Sequence, residues 1–294
     1  MTAITGVLVG LLCATTWAVG SVLIRDLAKK LDPFTLNAPR SLVGGLSMLL
    51  LTLITGRSAD YGLLTADRLF YLLASVWVGG GIGDTLYVRS MTHIGVSRAF
   101  PIASIYPSFT LLMSLFFLQE QIDLGIIAGL LLVVLGVILV GRRTPSVASE
   151  TSTAGKPWGV LFALLAAICW GTSAVLIAPG ARGLDSIMVA SIRVPALSLL
   201  LWGVVAARRT APKLRTLSRK EWLILVIGGF VGWGLGSMLF VLSIMLLGPT
   251  RSAILTSTSP LFALPLSVVF LKERVTWLTV IGTLLAVVGV ILVS

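Results

Sequence analysis

Ten stretches of the chain are almost continuously apolar, and short polar segments separate them. Each stretch is about as long as a helix must be to cross the hydrocarbon core of a membrane, roughly 20 residues. They cover residues 4–24, 34–55, 69–90, 97–118, 123–141, 158–178, 186–206, 221–246, 252–271 and 275–293. The stretches lack the alternation of apolar and polar residues that is typical of barrel strands. Lipid offers no hydrogen-bond partner to backbone N–H and C=O groups, so the segments must be helical. The pattern therefore predicts an all-α integral membrane protein with ten transmembrane helices.

The chain also repeats itself at a constant offset of 153 residues, without a gap. The matching positions include Gly79, Gly81 and Gly83 with Gly232, Gly234 and Gly236, Trp17 with Trp170, Asp32 with Asp185, Arg40 with Arg193, and Glu120 with Glu273. A fixed period of this kind indicates one structural unit used twice. We expect a first repeat at 1–141, a linker rich in Ser, Thr, Pro and Gly at 142–157, and a second repeat at 158–294.

Five spans in each repeat is an odd number, so the second repeat should cross the membrane upside down relative to the first. The basic residues agree with this topology. The odd-numbered gaps, together with Arg89 and Arg98 at the span ends beside the third gap, hold sixteen Lys and Arg residues, whereas the even-numbered gaps and the termini hold four. Basic residues mark cytoplasmic loops. The distribution thus predicts that the odd gaps lie in the cytoplasm and that both termini lie outside. Inverted repeats are typical of carriers with a binding site between the halves.

The composition and the sequence motifs argue against several classes of partner, cofactor and activity. The chain is 57% hydrophobic and only 11% charged, with a net charge of +11. The basic residues are scattered over the gaps, so no nucleic-acid partner is expected. Cys13 and Cys169 lie within apolar runs and suggest neither a disulfide nor a metal site, and no cofactor is expected. The first stretch has no basic leader and no cleavage site, which predicts a retained span. No catalytic motif or metal-binding set is present, which argues against an enzyme.

Several of the repeated motifs resemble the drug/metabolite transporter superfamily, specifically its EamA-type ten-helix exporters. The resemblance covers the whole chain. It rests on a Trp in each first span, an Arg near the start of each second span, a fourth span with a Pro that ends on a Glu, and a fifth span with spaced glycines: Trp17 and Trp170, Arg40 and Arg193, Pro107 with Glu120 and Pro260 with Glu273, Gly129 to Gly136 and Gly282 to Gly289.

The resemblance implies a secondary transporter in the cytoplasmic membrane. Such a carrier would export small metabolites, amino acids or related compounds, through a central cavity between the repeats. Members of this family often keep their termini in the cytoplasm, whereas the charge count of this chain predicts the opposite orientation. A flippase for a lipid-linked sugar and a multidrug efflux carrier are the alternatives, and a membrane enzyme is a weaker one. We expect a small-molecule substrate, contact with the lipid bilayer, and a monomer or a homodimer.

Three charged residues fall well inside predicted spans, where charge is costly and usually functional. Arg40 and Asp84 lie at matching depths, so they could form a pair. The position equivalent to Asp84 in the second repeat is Ser237, which leaves Arg193 free to hold a substrate carboxylate. Alternatively, both arginines reach the nearby interface or bind loop carbonyls. Asp84 is also a candidate proton site.

Aromatic and hydroxyl side chains near the middle of the spans are the other candidates for substrate binding. A pocket with aromatic walls and a few hydroxyls is typical of small-molecule sites, and packing of the bundle core is the alternative. The candidates are Trp17, Ser21, Tyr87, Tyr106, Trp170, Ser173, Trp233 and Ser257.

Two further sets of residues are expected to shape the helices rather than to bind substrate. Pro107 and Pro260 should kink or loosen the fourth span of each repeat and act as hinges. The glycines at four-residue spacing in the third spans should allow close helix packing. Glu120 and Glu273 are expected to bond to loop groups or to basic neighbours.

Overall fold

The computed structural model describes residues 2–24, 26–94, 96–141, 156–263, 265 and 277–293 of the chain. Within these ranges most of the backbone is helical, and no strand occurs. The helices are α1 (Thr2–Ile24), α2 (Pro33–Ile54), α3 (Ala66–Ile94), α4 (Val96–Ala103), α5 (Tyr106–Leu118), α6 (Leu124–Gly141), α7 (Lys156–Ala181), α8 (Ser186–Ala207), α9 (Arg219–Leu247), α10 (Pro249–Thr256) and α11 (Trp277–Val293). The predicted linker at 142–157 lies almost entirely outside the described residues, as does Glu273.

Six of these helices are long and apolar enough to cross a membrane: α1, α2, α3, α7, α8 and α9. Helices α5, α6 and α11 are shorter but also apolar. Large apolar side chains project from the bundle, with Phe116 75% exposed and Leu199 77% exposed. Such an exterior suits lipid rather than water. These helices agree with the predicted all-α integral membrane protein, whereas the number of ten spans stays a prediction.

The third span of each repeat contains a π-helical segment at its glycine run. In α3 this segment is Trp77–Gly83, and in α9 it is Gly229–Leu235. A π-helical turn inserts an extra residue and changes the direction of the side chains that follow. Asp84 begins the α-helical segment directly after the first π-helical turn.

The fourth predicted span is not one continuous helix. In the first repeat α4 ends at Ala103 and α5 begins at Tyr106, one residue before Pro107. In the second repeat α10 ends at Thr256, and helix resumes at 259–263, around Pro260. Proline lacks the backbone N–H that a continuous helix needs. The expectation that these prolines loosen the helix is confirmed at both positions, whereas their role as hinges stays a prediction.

Helices α2 and α8, which occupy equivalent positions in the two repeats, pack against each other in antiparallel orientation. Near the start of α2, the Thr35 hydroxyl lies 2.7 Å from the hydroxyl of Thr210, just beyond the end of α8. After the end of α2, Arg57 forms a 2.7 Å ion pair with Asp185, which caps the start of α8. The two helices therefore run in opposite directions.

The N-cap residues of α2 and α8, Asp32 and Asp185, are also equivalent in the two repeats. The Asp32 carboxylate accepts hydrogen bonds from the backbone and the hydroxyl of Thr35, and Asp185 accepts one from the backbone of Ile187. These bonds satisfy donors that the first turn of a helix leaves open. Burial raises the pKa of Asp32, but the bonds from Thr35 and the charge of Lys213 outweigh it, so the pKa lies below its usual value.

Helices α6 and α11 form a second antiparallel pair, and glycines set their spacing. Gly129 faces Gly289, and Gly136 faces Gly282, each glycine lying against the carbonyl oxygen of the other. Because the offset of 153 residues carries Gly129 onto Gly282 and Gly136 onto Gly289, the contact is symmetric between the repeats. Small residues allow backbones to approach closely where no hydrophobic force drives helices together.

The close approach of α6 and α11 predicts an effect of adding one methyl group. Gly136→Ala should lower the stability of the detergent-solubilised protein by about 1–2 kcal/mol, a typical cost of overpacking, because the new methyl collides with the carbonyl of Gly282. Thermal unfolding followed by tryptophan fluorescence measures the change. Gly203→Ala in α8 is the matched control, since an added Cβ there meets no atom within 4 Å. Equal unfolding temperatures for the two variants would contradict the prediction.

Other contacts between the repeats join helices at non-equivalent positions. Helix α1 of the first repeat packs on α9, the third span of the second, and α7 packs on α3 and α5 in the corresponding manner. The largest buried cluster combines Cys13, Leu72, Met188 and Phe240, which come from α1, α3, α8 and α9. The core thus lies between the repeats, and side chains from both of them meet there.

Candidate functional site

Trp170 on α7 is the centre of a polar and aromatic cluster formed by both repeats. Its indole Nε1 donates a hydrogen bond of 2.9 Å to a carboxylate oxygen of Asp84 on α3. Tyr87 lies one turn beyond Asp84 on α3, and Tyr106 stands at the start of α5. We call these four residues, Asp84, Tyr87, Tyr106 and Trp170, the Asp84 cage.

The rings of the Asp84 cage surround Trp170 at contact distance. The ring centroids of Tyr87 and Trp170 are 5.2 Å apart with the planes tilted by 54°, and those of Tyr106 and Trp170 are 6.0 Å apart and nearly perpendicular. The Tyr106 hydroxyl donates to the carbonyl of Ala253 at 3.0 Å and lies 3.0 Å from the hydroxyl of Thr256. Through these bonds α5 is attached to α10 of the other repeat.

Glycines in α3 allow α7 to come this close. A Cβ on Gly83 would lie 2.9 Å from Cδ1 of Trp170, and one on Gly79 would lie 2.8 Å from Cβ of Ser173. The packing role predicted for the glycine run is therefore confirmed here. The geometry also explains how Trp170 reaches Asp84, because a larger side chain in the π-helical segment would hold α7 away.

All four residues of the Asp84 cage keep some accessible surface, although they lie deep in the bundle. Residues packed in a dry core, such as the neighbouring Leu72 and Ala174, have none. Water-sized molecules can therefore reach the residues of the cage. Aromatic walls with one carboxylate and two phenol hydroxyls are suited to a small polar ligand.

The second repeat reproduces the frame of this cage without its acid. Trp17 and Phe240, the equivalents of Trp170 and Tyr87, have centroids 5.2 Å apart and planes tilted by 53°. Gly236 lies against the indole of Trp17 as Gly83 lies against that of Trp170. However, Ser237 occupies the position of Asp84, and Ser259 that of Tyr106. The two cages share one architecture, but only the first has a charge.

The two intramembrane arginines are buried and bonded to protein groups. Nε of Arg193 donates to the Ser75 hydroxyl at 2.9 Å, and an Nη reaches the Ser237 hydroxyl at 3.5 Å. Arg40 donates to the side chain of Asn37 at 2.6 Å and more weakly to the carbonyl of Gly228. Their exposures are 5% for Arg193 and 7% for Arg40, so both side chains are enclosed by protein.

The predicted pair of Arg40 and Asp84 is not formed, and this expectation was wrong. No ion pair within 4.0 Å joins these two described residues, and Asp84 bonds instead to Trp170. The π-helical segment before Asp84 and the close packing of α7 direct the carboxylate toward the second repeat.

The structure places the other sequence candidates in varied surroundings. Ser173 is buried and donates to the carbonyl of Ser75 at 2.6 Å, next to the bond that Ser75 accepts from Arg193. Ser21 is exposed and bonds only to its own helix, as does the buried Ser257. Trp233 is half-buried in the π-helical segment of α9 and packs against Gly44 and Gly80. None of the last three touches the Asp84 cage through a hydrogen bond or ring contact among the described residues.

Two residues near the site were missed by the sequence reasoning. Ser75 receives bonds from Arg193 and Ser173, and Thr256 bonds to Tyr106. Ser75 has no signal in the repeat, because its equivalent is Gly228. Thr256, in contrast, directly precedes Ser257, which the sequence had indicated as a binding candidate.

Glu120, just beyond the end of α5, bonds to a residue of helix α10 and not to the loop group or basic neighbour that was expected. It accepts a 2.6 Å hydrogen bond from the Thr250 hydroxyl and lies against Gly248, which has a positive φ of 83°. A side chain on Gly248 would be strained and would collide with the carboxylate. This contact joins the end of α5 to the start of α10, so it links the repeats on one side of the bundle.

An apolar cleft of about 190 Å³ lies elsewhere, between α1, α11 and the residues after α10. It is lined by Leu11, Thr258, Leu261, Phe262, Ala286, Val287, Val290 and Ile291. No charged side chain is among these residues, so the cleft offers nothing to hold a phosphate. Within the described parts of the chain, no three side chains that could ligate a metal are gathered together either.

Comparison with known proteins gives a consistent result. The sequence profile of the EamA-like transporter family matches residues 4–142 and 157–294. An uncharacterized transporter of Archaeoglobus fulgidus is 26% identical over 286 residues, 97% of this chain and 96% of that protein. Protein LicB of Haemophilus influenzae is 23% identical over 296 residues, which are 97% of this chain and 96% of that protein.

Two further matches extend the comparison. The uncharacterized inner membrane transporter YhbE of Escherichia coli K12 is 29% identical over 134 residues, 46% of this chain and 42% of that protein. A solved structure, titled only as the crystal structure of a protein, superposes with a TM-score of 0.77 at 19% identity, covering 98% of this chain and 95% of that one. At this identity the superposition establishes the fold alone.

Proposed function

Because the chain belongs to the EamA-like transporter family, we propose that it is a secondary carrier which moves small polar metabolites, amino acids or related amines, by alternating access. The observation that carries this proposal is the Asp84 cage, an aromatic and acidic site that the two repeats form together. The relatives' names indicate a transporter rather than an enzyme.

The proposed architecture is ten spans in two inverted repeats. The antiparallel packing of α2 with α8 and of α6 with α11 supports it, since each pair joins equivalent positions. The contacts of α1 with α9 and of α7 with α3 support it as well. Inverted repeats give a carrier two related states, open to opposite sides of the membrane, with the site at the interface between repeats.

The broken fourth spans are the proposed moving parts. Tyr106 belongs to the cage and stands next to Pro107, so any change of angle at this break moves a residue that lines the site. Pro260 marks the corresponding break in the second repeat. Hinges commonly lie at the ends of helical elements, where a few dihedral angles absorb the change.

The proposed location is the cytoplasmic membrane, with the odd gaps inside and both termini outside. The gap between the seventh and eighth predicted spans, residues 207–220, is the most basic of the odd gaps, with six Lys and Arg residues. Transport outward is proposed from the family resemblance. A multidrug efflux carrier is a second form of the same function, whereas the uncharged cleft gives no support to a flippase.

The orientation gives a labelling prediction. Single cysteines at Asp60 and Lys213, in a variant lacking Cys13 and Cys169, should react differently with a membrane-impermeant maleimide on intact cells. Asp60 follows α2 and should be labelled, whereas Lys213 follows α8 and should react only after the membrane is opened. Labelling of Lys213 alone on intact cells would reverse the proposed orientation.

Transport itself is tested with purified protein in liposomes. A panel of amino acids, small amines, nucleosides and cationic drugs is offered on one side, without ATP. Saturable uptake of at least one small polar solute, above that of protein-free liposomes, supports a secondary carrier. Folded protein that moves none of these compounds would contradict the proposal.

A further inference from the structure

The charge at the candidate site identifies the class of its ligand. We infer that the Asp84 cage binds a positively charged nitrogen, a protonated amine or a quaternary ammonium group, as the part of the substrate that the protein recognises. This inference rests on the proposed transport function and specifies the substrate of the same site.

The first argument is the incomplete partnering of Asp84. Its carboxylate lies within a membrane span, and the side-chain donor it has is the neutral indole of Trp170. Among the described residues no Lys or Arg nitrogen lies within 4.0 Å of it, and Arg40 donates to Asn37 and Gly228 instead. A carboxylate away from water is costly unless it is paired. A cationic ligand that reaches the accessible side of the carboxylate would supply the missing charge.

The second argument is the arrangement of the rings. The faces of aromatic rings carry negative charge density and attract cations within about 6 Å, with Trp the strongest. Tyr87 and Tyr106 stand at 5.2 Å and 6.0 Å from Trp170, at different angles to it. Rings that meet at different angles present more than one face to a compact ligand that reaches the cage. Trp170 also fixes the carboxylate beside these rings.

The third argument comes from comparing the two repeats. The pair of Trp17 and Phe240 has almost the same geometry as the pair of Trp170 and Tyr87. Helix packing alone is therefore achieved without an acid or a phenol at these positions. The acid at Asp84 and the phenol hydroxyl of Tyr87 are therefore not needed for this ring packing, which points to a ligand.

The buried arginines do not offer a comparable site for an anion. Arg193 is bonded through two of its nitrogens to Ser75 and Ser237 and is 5% exposed. Nε of Arg40 has no hydrogen-bond acceptor, but it is inaccessible to molecules the size of water and lies close to Gly228. A substrate carboxylate has no direct access to either group in this conformation.

Binding of three compounds of similar size tests the inference on purified, detergent-solubilised protein. They are tetramethylammonium, tert-butanol and pivalate, which are cationic, neutral and anionic. Isothermal titration calorimetry should detect tetramethylammonium and at least tenfold weaker binding of the other two. Asp84→Asn should weaken tetramethylammonium binding by at least tenfold, and Asp84→Glu should retain part of it.

Two controls separate binding from folding. Asp67→Asn makes the same chemical change in the first turn of the same helix, where the side chain is exposed, and should bind as the wild type does. Asp84→Ser introduces the residue that the second repeat carries at this position and should fold but not bind. Size-exclusion profiles establish that each variant is folded.

The outcomes distinguish this inference from the transport proposal. Equal binding of the three compounds, or equal binding by Asp84→Asn and wild type, would overturn the cation assignment. Saturable uptake of an anionic or neutral solute, with no inhibition by tetramethylammonium, would overturn it as well and would leave the transport function intact. Tetramethylammonium binding that depends on Asp84, in a protein that transports no solute, would support the site and contradict the function.

Discussion

Arg193→Ala is expected to destabilise the protein by several kcal/mol. A hydrogen bond to a charged group contributes about 1.5–3 kcal/mol, and the side chain makes one such bond to Ser75 at 2.9 Å and a longer one to Ser237. The substitution would also leave a cavity and two serine hydroxyls without this partner. Thermal unfolding in detergent, and the yield of monodisperse protein, measure the effect.

A double-mutant cycle assigns the loss to the observed contact. Ser75→Ala should destabilise the wild-type background but should cost little more in Arg193→Ala, because the bond between the two is already gone. Arg182→Ala removes an exposed arginine that directly follows the end of α7, and it should have almost no effect. A stable Arg193→Ala protein that loses transport only of carboxylate-bearing solutes would instead favour the prediction that Arg193 holds a substrate carboxylate.

The repeat could be predicted from the sequence because it depends on spacing alone. The constant offset pairs Gly129 with Gly282 and Gly136 with Gly289, and the structure brings these residues together between α6 and α11. The opposite direction of equivalent helices followed from an odd number of spans. Proline chemistry likewise located both breaks in the fourth spans, since a missing N–H acts locally.

The partners within the site could not be predicted in the same way. Depth along a span suggested that Arg40 and Asp84 could pair, but depth carries no information about the direction of a side chain. The π-helical turn at Trp77–Gly83 alters that direction, and no rule of sequence spacing anticipated it. As a result Asp84 meets Trp170, a residue that had been considered only as part of an aromatic pocket.

Trp170→Phe is expected to impair recognition of the substrate without a comparable loss of stability. Phenylalanine keeps most of the ring area that packs against Tyr87 and Tyr106 but lacks the indole N–H that holds Asp84. Loss of a hydrogen bond to a carboxylate corresponds to about 1.5–3 kcal/mol, or about a tenfold to 150-fold change in affinity.

The split between KM and maximal rate in proteoliposomes distinguishes this role from a purely structural one. If Trp170 orients the carboxylate for binding, Trp170→Phe should raise the apparent KM for the transported solute and lower the maximal rate much less. Trp17→Phe, in the uncharged equivalent cage, should have a smaller effect, because its neighbour at that position is Ser237. Identical concentration dependence for wild type and Trp170→Phe would show that the bond to Asp84 does not serve recognition. Trp170 would then act by joining α7 to α3, and the unfolding temperature of the variant would fall instead of its affinity.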